Sequence, residues 1–141
     1  MKLLIEKSLD YNDDFVEWLL GVIRDDVLTR INENYLDNME YYLNTMLSNS
    51  TLSNDAVDLY SAMLQILDHL EYINGFSHYH IQINPIARLS GTKFKLLSIA
   101  KFINYGNQDM PGCGVFTESF SRIGDNLTEY YRTYLMNTGV R

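Results

Sequence analysis

Apolar residues recur at intervals of three and four along most of the first half of the chain. Phe15, Leu19, Val22, Ile23, Val27 and Ile31 make one such face, the spacing of an α-helix with one side buried. Asp10 or Asn12 is placed to cap it, and Asp13 and Asp14 fall in its first turn, where acids suit the positive end of the helix dipole. Gly21 costs about 1 kcal/mol against alanine inside such a helix, so the expectation there is close packing or a bend. The pattern resumes at Tyr35, Leu36, Met39, Tyr42, Leu43, Met46 and Leu47. Asn32 to Asn34 reads either as a break between two helices or as a polar patch on one long helix.

Ser48 to Asp55 is a turn-rich connector. From about Asp55 a third helix is predicted, with Ala56, Leu59, Met63, Ile66, Leu70 and Ile73 on one face, Tyr60, Leu64 and Leu67 beside them, and Asn74-Gly75 as its stop. The period then changes from near four to two. Tyr79, Ile81 and Ile83 alternate with His78, His80 and Gln82, the mark of a strand with one buried face. Asn84-Pro85 ends it, and Ser90-Gly91-Thr92 reads as a hairpin turn into Lys93 to Leu97. Leu3, Leu4 and Ile5 either add a short edge strand or dock on the core.

Leu97, Ala100, Lys101 and Tyr105 belong to a further helix that stops at Gly106, where a positive-φ residue is expected. Pro111 bars Met110 from the α region, so the chain leaves the loop extended. The result is a stiff elbow between two helices. The last helix is predicted from about Thr117, with Phe116, Phe120, Ile123, Leu127, Tyr130, Tyr131 and Tyr134 on one stripe and Glu118, Arg122, Asp125 and Arg132 on the other. The fold class expected is α+β: several amphipathic helices packed on a small antiparallel sheet or hairpin. One domain is expected over residues 1–141, with a helical half at about 10–73 and the hairpin, elbow and C-terminal helix at about 76–136.

Composition narrows the function. The 141 residues are 46% hydrophobic, enough for a core without disulfides or metals. A single cysteine forms no internal disulfide and points to a reducing compartment. Met1 to Ile5 is too short for a signal peptide, and Phe15 to Ile23 is too short and too polar for a membrane span, so a soluble, intracellular protein is expected. Eleven Lys and Arg against eighteen Asp and Glu give a net charge of -7, which repels phosphate at long range and disfavours sequence-specific nucleic-acid binding.

Candidate chemistry is sparse. His78 and His80 share a strand face and, with His69 or Asp68, are the one candidate metal set, but no Cys or Glu at ligand spacing completes it. Cys113 lies between two glycines with no local cation to activate it. Phosphate-binding and dinucleotide-binding glycine loops, a His-Glu-x-x-His pair and a nucleophile elbow are all missing. Asp13, Asp14, Asp25 and Asp26 read as solvated charge on the polar side of a helix. The expectation is therefore no catalytic residue, no metal and no cofactor.

The run Ile99-Ala100-Lys101-Phe102-Ile103-Asn104-Tyr105-Gly106, a polar spacer, Met110-Pro111, then Val115-Phe116 opening a helix resembles the tail-completion or head-tail joining (neck) proteins of tailed bacteriophages. In that family an aromatic, aliphatic, acidic, aromatic, Gly segment precedes a Met-Pro or Met-Ala turn and a Pro-Phe-aliphatic step into the last helix. The match covers about a quarter of the chain. It departs from the family at Asn104, usually acidic, at Asn107, usually Thr or Ser, and at Gly114 to Glu118, where the family has a Pro-Phe-Leu-Arg-Pro stretch.

The resemblance implies a virion structural protein without catalysis. It would form a self-assembled ring, sixfold or twelvefold, in the neck, with phage connector and tail proteins as partners and DNA passing through unbound. Residues expected at subunit contacts are Asn104, Tyr105, Gly106, Asn107, Gln108, Asp109, Met110, Pro111, Val115 and Phe116. The charge and size fit equally a second class, a small phage-encoded acidic module that inhibits or adapts a host protein. An enzyme using Cys113 or the histidine pair ranks last.

Overall fold

The structure is a computed structural model and describes residues 2–6, 13–31, 33–48, 57–74 and 78–138. In chain order the elements are β1 (Lys2–Glu6), α1 (Asp13–Arg30), α2 (Glu33–Ser48), α3 (Leu59–Asp68), β2 (Leu70–Asn74), β3 (His78–Ile83), α4 (Leu96–Tyr105), α5 (Val115–Asp125) and α6 (Leu127–Thr138). The fold is α+β, with helices packed on a small antiparallel sheet.

The sheet has the order β1-β3-β2, so the N-terminal strand is an edge strand beside β3. Its register sorts the side chains. Leu70 faces Ile83 and Tyr72 faces Ile81, and Leu70, Ile81 and Ile83 are buried. On the other side Glu71 faces Gln82, whose amide donates to Glu71 Oε1 at 2.8 Å. Helix α5 packs against β1, and α1 packs against β2, α5 and α6.

Three expectations are corrected. The helix predicted as far as Ile73 stops at Asp68. His69 closes it with its N–H shared between the carbonyls of Gln65 and Ile66, and the chain turns directly into β2. Leu70 and Ile73 fit the helical spacing, but Leu70 and Tyr72 share the inward side of a strand, where β3 satisfies their backbone groups. Asn74 is thus a strand residue, and the turn after it lies outside the described residues, as does the part of the predicted connector from Asn49 to Asp55.

The second correction concerns the hairpin turn at Ser90-Gly91-Thr92. It exists, but Lys93 to Leu97 does not continue as a strand. A single bridge pairs Arg88 with Lys95, and α4 starts at Leu96. We call this short ribbon, residues 88–95, the tongue.

Third, the last helix is two helices. Gly124-Asp125-Asn126 has low helix propensity, and Asn126 closes α5 with its N–H on Ile123 O and its side chain on Arg122 O at 2.7 Å. At the earlier break α1 and α2 are separate helices, with Ile31 outside both.

The core runs from α1 to the tail. Phe15 meets Tyr131 edge-on at 5.0 Å between ring centres and Tyr134 at 5.5 Å, which docks α6 on α1. Polar side chains of α2 seat α3: Asn44 receives the N–H of Val57 at 2.6 Å, and Glu40 receives that of Leu59 at 3.0 Å. A Cβ on Gly21 would meet nothing within 4 Å, so that glycine marks no close packing.

Candidate functional site

The elbow between α4 and α5 is built from the backbone outward. Gly106 ends α4 with φ 69° and ψ -158°, a region open in practice to glycine alone. A Cβ there would run into the backbone of Met110, Pro111 and Gly112. Asn107 then folds the tip: its Oδ1 accepts the N–H of Asp109 at 2.9 Å and of Met110 at 2.8 Å, while its own N–H reaches Met110 O at 2.8 Å. A bridge between Gly106 and Pro111 closes the loop. Gly112 lies against the Asn104 carbonyl with no space for a side chain.

Helix α5 begins at Gly114, which has a left-handed conformation and no capping side chain. Asn104, buried at the end of α4, supplies that cap from another element. Its Oδ1 accepts the N–H of Phe116 at 3.0 Å and of Thr117 at 3.1 Å, and its Nδ2 donates to Thr117 Oγ1 at 2.8 Å. Gly114 N–H donates to the Asn104 carbonyl at 2.9 Å. One side chain therefore ties the last turn of α4 to the first turn of α5.

Beneath the elbow, Ile103 O accepts the Cys113 N–H at 3.1 Å, the Cys113 thiol at 3.4 Å and the Tyr35 hydroxyl at 3.0 Å. Burial, and after it the neighbouring Cys113, push the Tyr35 hydroxyl well above an ordinary phenol. Cys113 is half-buried and serves this packing.

The residues expected at subunit contacts therefore divide. Asn104, Met110, Val115 and Phe116 are buried in this chain's own core, and Gly106 is half-buried, so none of them forms an outward face. Tyr105, 61% exposed, and the exposed Asn107, Gln108, Asp109 and Pro111 form the tip.

A further correction concerns Asp26, whose side chain is only 13% exposed and fully engaged. Its Oδ2 accepts the Ser119 hydroxyl at 2.6 Å and Arg30 Nε at 2.9 Å, and its other oxygen pairs with Arg122. Burial works to raise this carboxyl, but the hydrogen bonds from Ser119 and Arg30 and the charges of Arg122 and Arg30 outweigh it and hold it below the ordinary aspartate value. This cluster clamps α1 to α5, the outgoing arm of the elbow. The sequence pattern hides it because Ser119 and Arg122 lie more than ninety positions from Asp26. The cap by Asn104 had one usable signal: no Ser, Thr, Asp or Asn stands at residues 112–114 to start α5.

His69 and His80 are described, whereas the side chain of His78 lies outside the described residues. His69 is exposed at the end of α3, its Nδ1 at 2.8 Å from Gln65 O, and His80 is half-buried on the central strand. Among the described residues no group of three or more His, Cys, Asp or Glu is placed to hold a metal ion, and no helix is long and apolar enough to cross a membrane. Open grooves are found among the described residues. One of about 330 Å³ lies between α2 and α3, lined by Leu36, Asp37, Glu40, Asp58 and Tyr60; another of about 300 Å³ lies between α3 and the tongue. No family model, curated protein or solved structure matches this chain.

Proposed function

We propose that this chain is a virion structural protein that acts by assembly and carries out no reaction: a ring subunit in the neck of a tailed bacteriophage, between head connector and tail, around the DNA channel. The observation that supports this reading is the elbow. An exposed aromatic and polar tip, Tyr105, Asn107, Gln108, Asp109 and Pro111, rides on backbone that Gly106, Gly112 and the buried Asn104 hold in one conformation. A tip ordered in advance loses little conformational entropy when it docks, and an exposed tyrosine is a favoured anchor at a protein interface. The family resemblance runs through the same segment, at Tyr105, Gly106, Met110 and Pro111, with Asn104 and Asn107 departing from it, and a net charge of -7 per subunit suits a wall past which DNA slides.

The test is co-purification of the tagged protein with phage particles, followed by electron microscopy of the neck. Wild type is expected in the ring. Tyr105→Ala is expected to keep the wild-type melting temperature and to lower incorporation by about tenfold, the loss of one interface anchor. Absence of the wild-type protein from particles, together with a stable one-to-one complex with a host protein, would replace this reading with that of an acidic interaction module.

A further inference from the structure

The charge of this chain is segregated. From Tyr72 to Gln108 there is no Asp or Glu, although eighteen occur elsewhere, and Arg88, Lys93, Lys95 and Lys101 all fall in that stretch. The fold gathers three of them on the tongue. Arg88 and Lys95 are bridge partners, and the Arg88 guanidinium donates to the Lys93 carbonyl at 3.1 Å. Residues directly opposite in an antiparallel bridge present their side chains to the same side, and like charges there repel. All three are exposed, while Leu89 is buried and Phe94 half-buried beneath them. Among the described residues the ion pairs use Arg30, Arg122 and Arg132, and none reaches these cations. The fold thus keeps on an acidic protein a cationic ribbon that makes no ion pair among the described residues, although Asp58 lines the groove beside its turn.

The α2–α3 groove has the opposite character. Asp37, Glu40 and Asp58 line it with Tyr60, which is 55% exposed. Glu40 and Asp58 are held in place by the N–H groups of Leu59 and Ser61. Carboxylates around an aromatic face suit a lysine or arginine side chain. We propose that the tongue of one copy docks through Arg88, Lys93 and Lys95 into the α2–α3 groove of a second copy of this chain. A phosphate backbone is the weaker occupant, because the whole chain, at -7, repels it. The carboxylates that the tongue lacks are carried by the rest of the same chain. This contact rests on the assembly reading above and names its chemistry.

Sedimentation velocity of the full chain at low and high salt tests it, with Lys93→Glu/Lys95→Glu as the reversal and the same pair combined with Asp37→Lys as the swap. Wild type is expected to self-associate and to weaken about tenfold as salt screens the contact. The reversal should weaken it at low salt by at least about tenfold with an unchanged melting temperature, and the swap should recover about threefold or more. Association unaffected by the reversal, or a swap that restores nothing, overturns the inference. So does a wild type that stays monomeric, or one that binds duplex DNA and loses that binding on reversal. Particle incorporation separates the two levels: a reversed protein that still enters particles as wild type does leaves the assembly reading standing without the tongue, whereas a wild type absent from particles removes that reading itself.

Discussion

Helix α4 has a turn at each end, and the two are built on opposite principles. The elbow after it is over-determined: two glycines have no room for a side chain, and a buried asparagine bridges the flanking helices. The tongue before it is held less tightly: Ser90 in its turn donates its N–H and hydroxyl to Gln65 Oε1 at 2.9 and 3.1 Å and one bridge joins its sides, but a Cβ at its Gly91 would meet nothing within 4 Å. Backbone that must hold one shape is found where the chain packs on itself. Charge without a partner is found where the chain is free to meet something else.

The elbow should therefore fail first. Gly106→Val adds a branched side chain at positive φ and drives it into the backbone of the returning loop. A loss of about 4 kcal/mol or more is expected in urea unfolding, since strain and steric overlap act together. Wild-type stability in this variant would refute the description of the loop. The next largest effect falls on the cap. Asn104→Leu leaves the N–H groups of Phe116 and Thr117 without an acceptor in the interior and should cost about 2–3 kcal/mol. Asn104→Asp keeps an acceptor at a helix N-terminus and should cost less than Asn104→Leu. If the two variants are equally unstable, the side chain works as packing and not as a cap.

The clamp on the far arm adds a pH signature. The Asp26 carboxyl is held below its usual value of 3.8, so the folded state binds its proton less readily than the unfolded state does. Its contribution is complete above about pH 4 and is lost as pH falls through the lower, folded-state value. Thermal melts from pH 6 to pH 2 should show a shallower acid decline in Asp26→Asn than in wild type. Parallel curves would mean that the Ser119 and Arg122 contacts contribute nothing to stability.

What could be read from sequence follows the range of each interaction. Gly106 and Pro111 announce the elbow because each acts on its own φ or on its nearest neighbour's. Asn104 gave no such sign, since the groups it caps lie twelve and thirteen residues on. Asp26 looked like solvated charge because Ser119 and Arg122 reach it only after folding. The spacing of Leu70 and Ile73 extends the α3 pattern and so reads as helical; pairing with β3, a tertiary fact, decides for strand. The aromatic stripe that runs across Asn126 hides the break there, although Gly124, Asp125 and Asn126 together mark it.

The smallest effect separates the two turns most cleanly. Gly91 and Gly106 both have positive φ, at 76° and 69°, so an alanine at either bears conformational strain. At Gly91 the surrounding space is open, and Gly91→Ala should cost only that strain, about 1–2 kcal/mol. At Gly106 the same methyl group also strikes backbone that has no rotamer with which to yield. The difference in unfolding free energy between the two alanine variants therefore reads the closed backbone of the elbow and the glycine-only conformation of Gly106 together. If Gly106→Ala were no worse than Gly91→Ala, the returning loop would have to relax away from α4 at little cost, and a tip that relaxes so easily is not ordered in advance for docking.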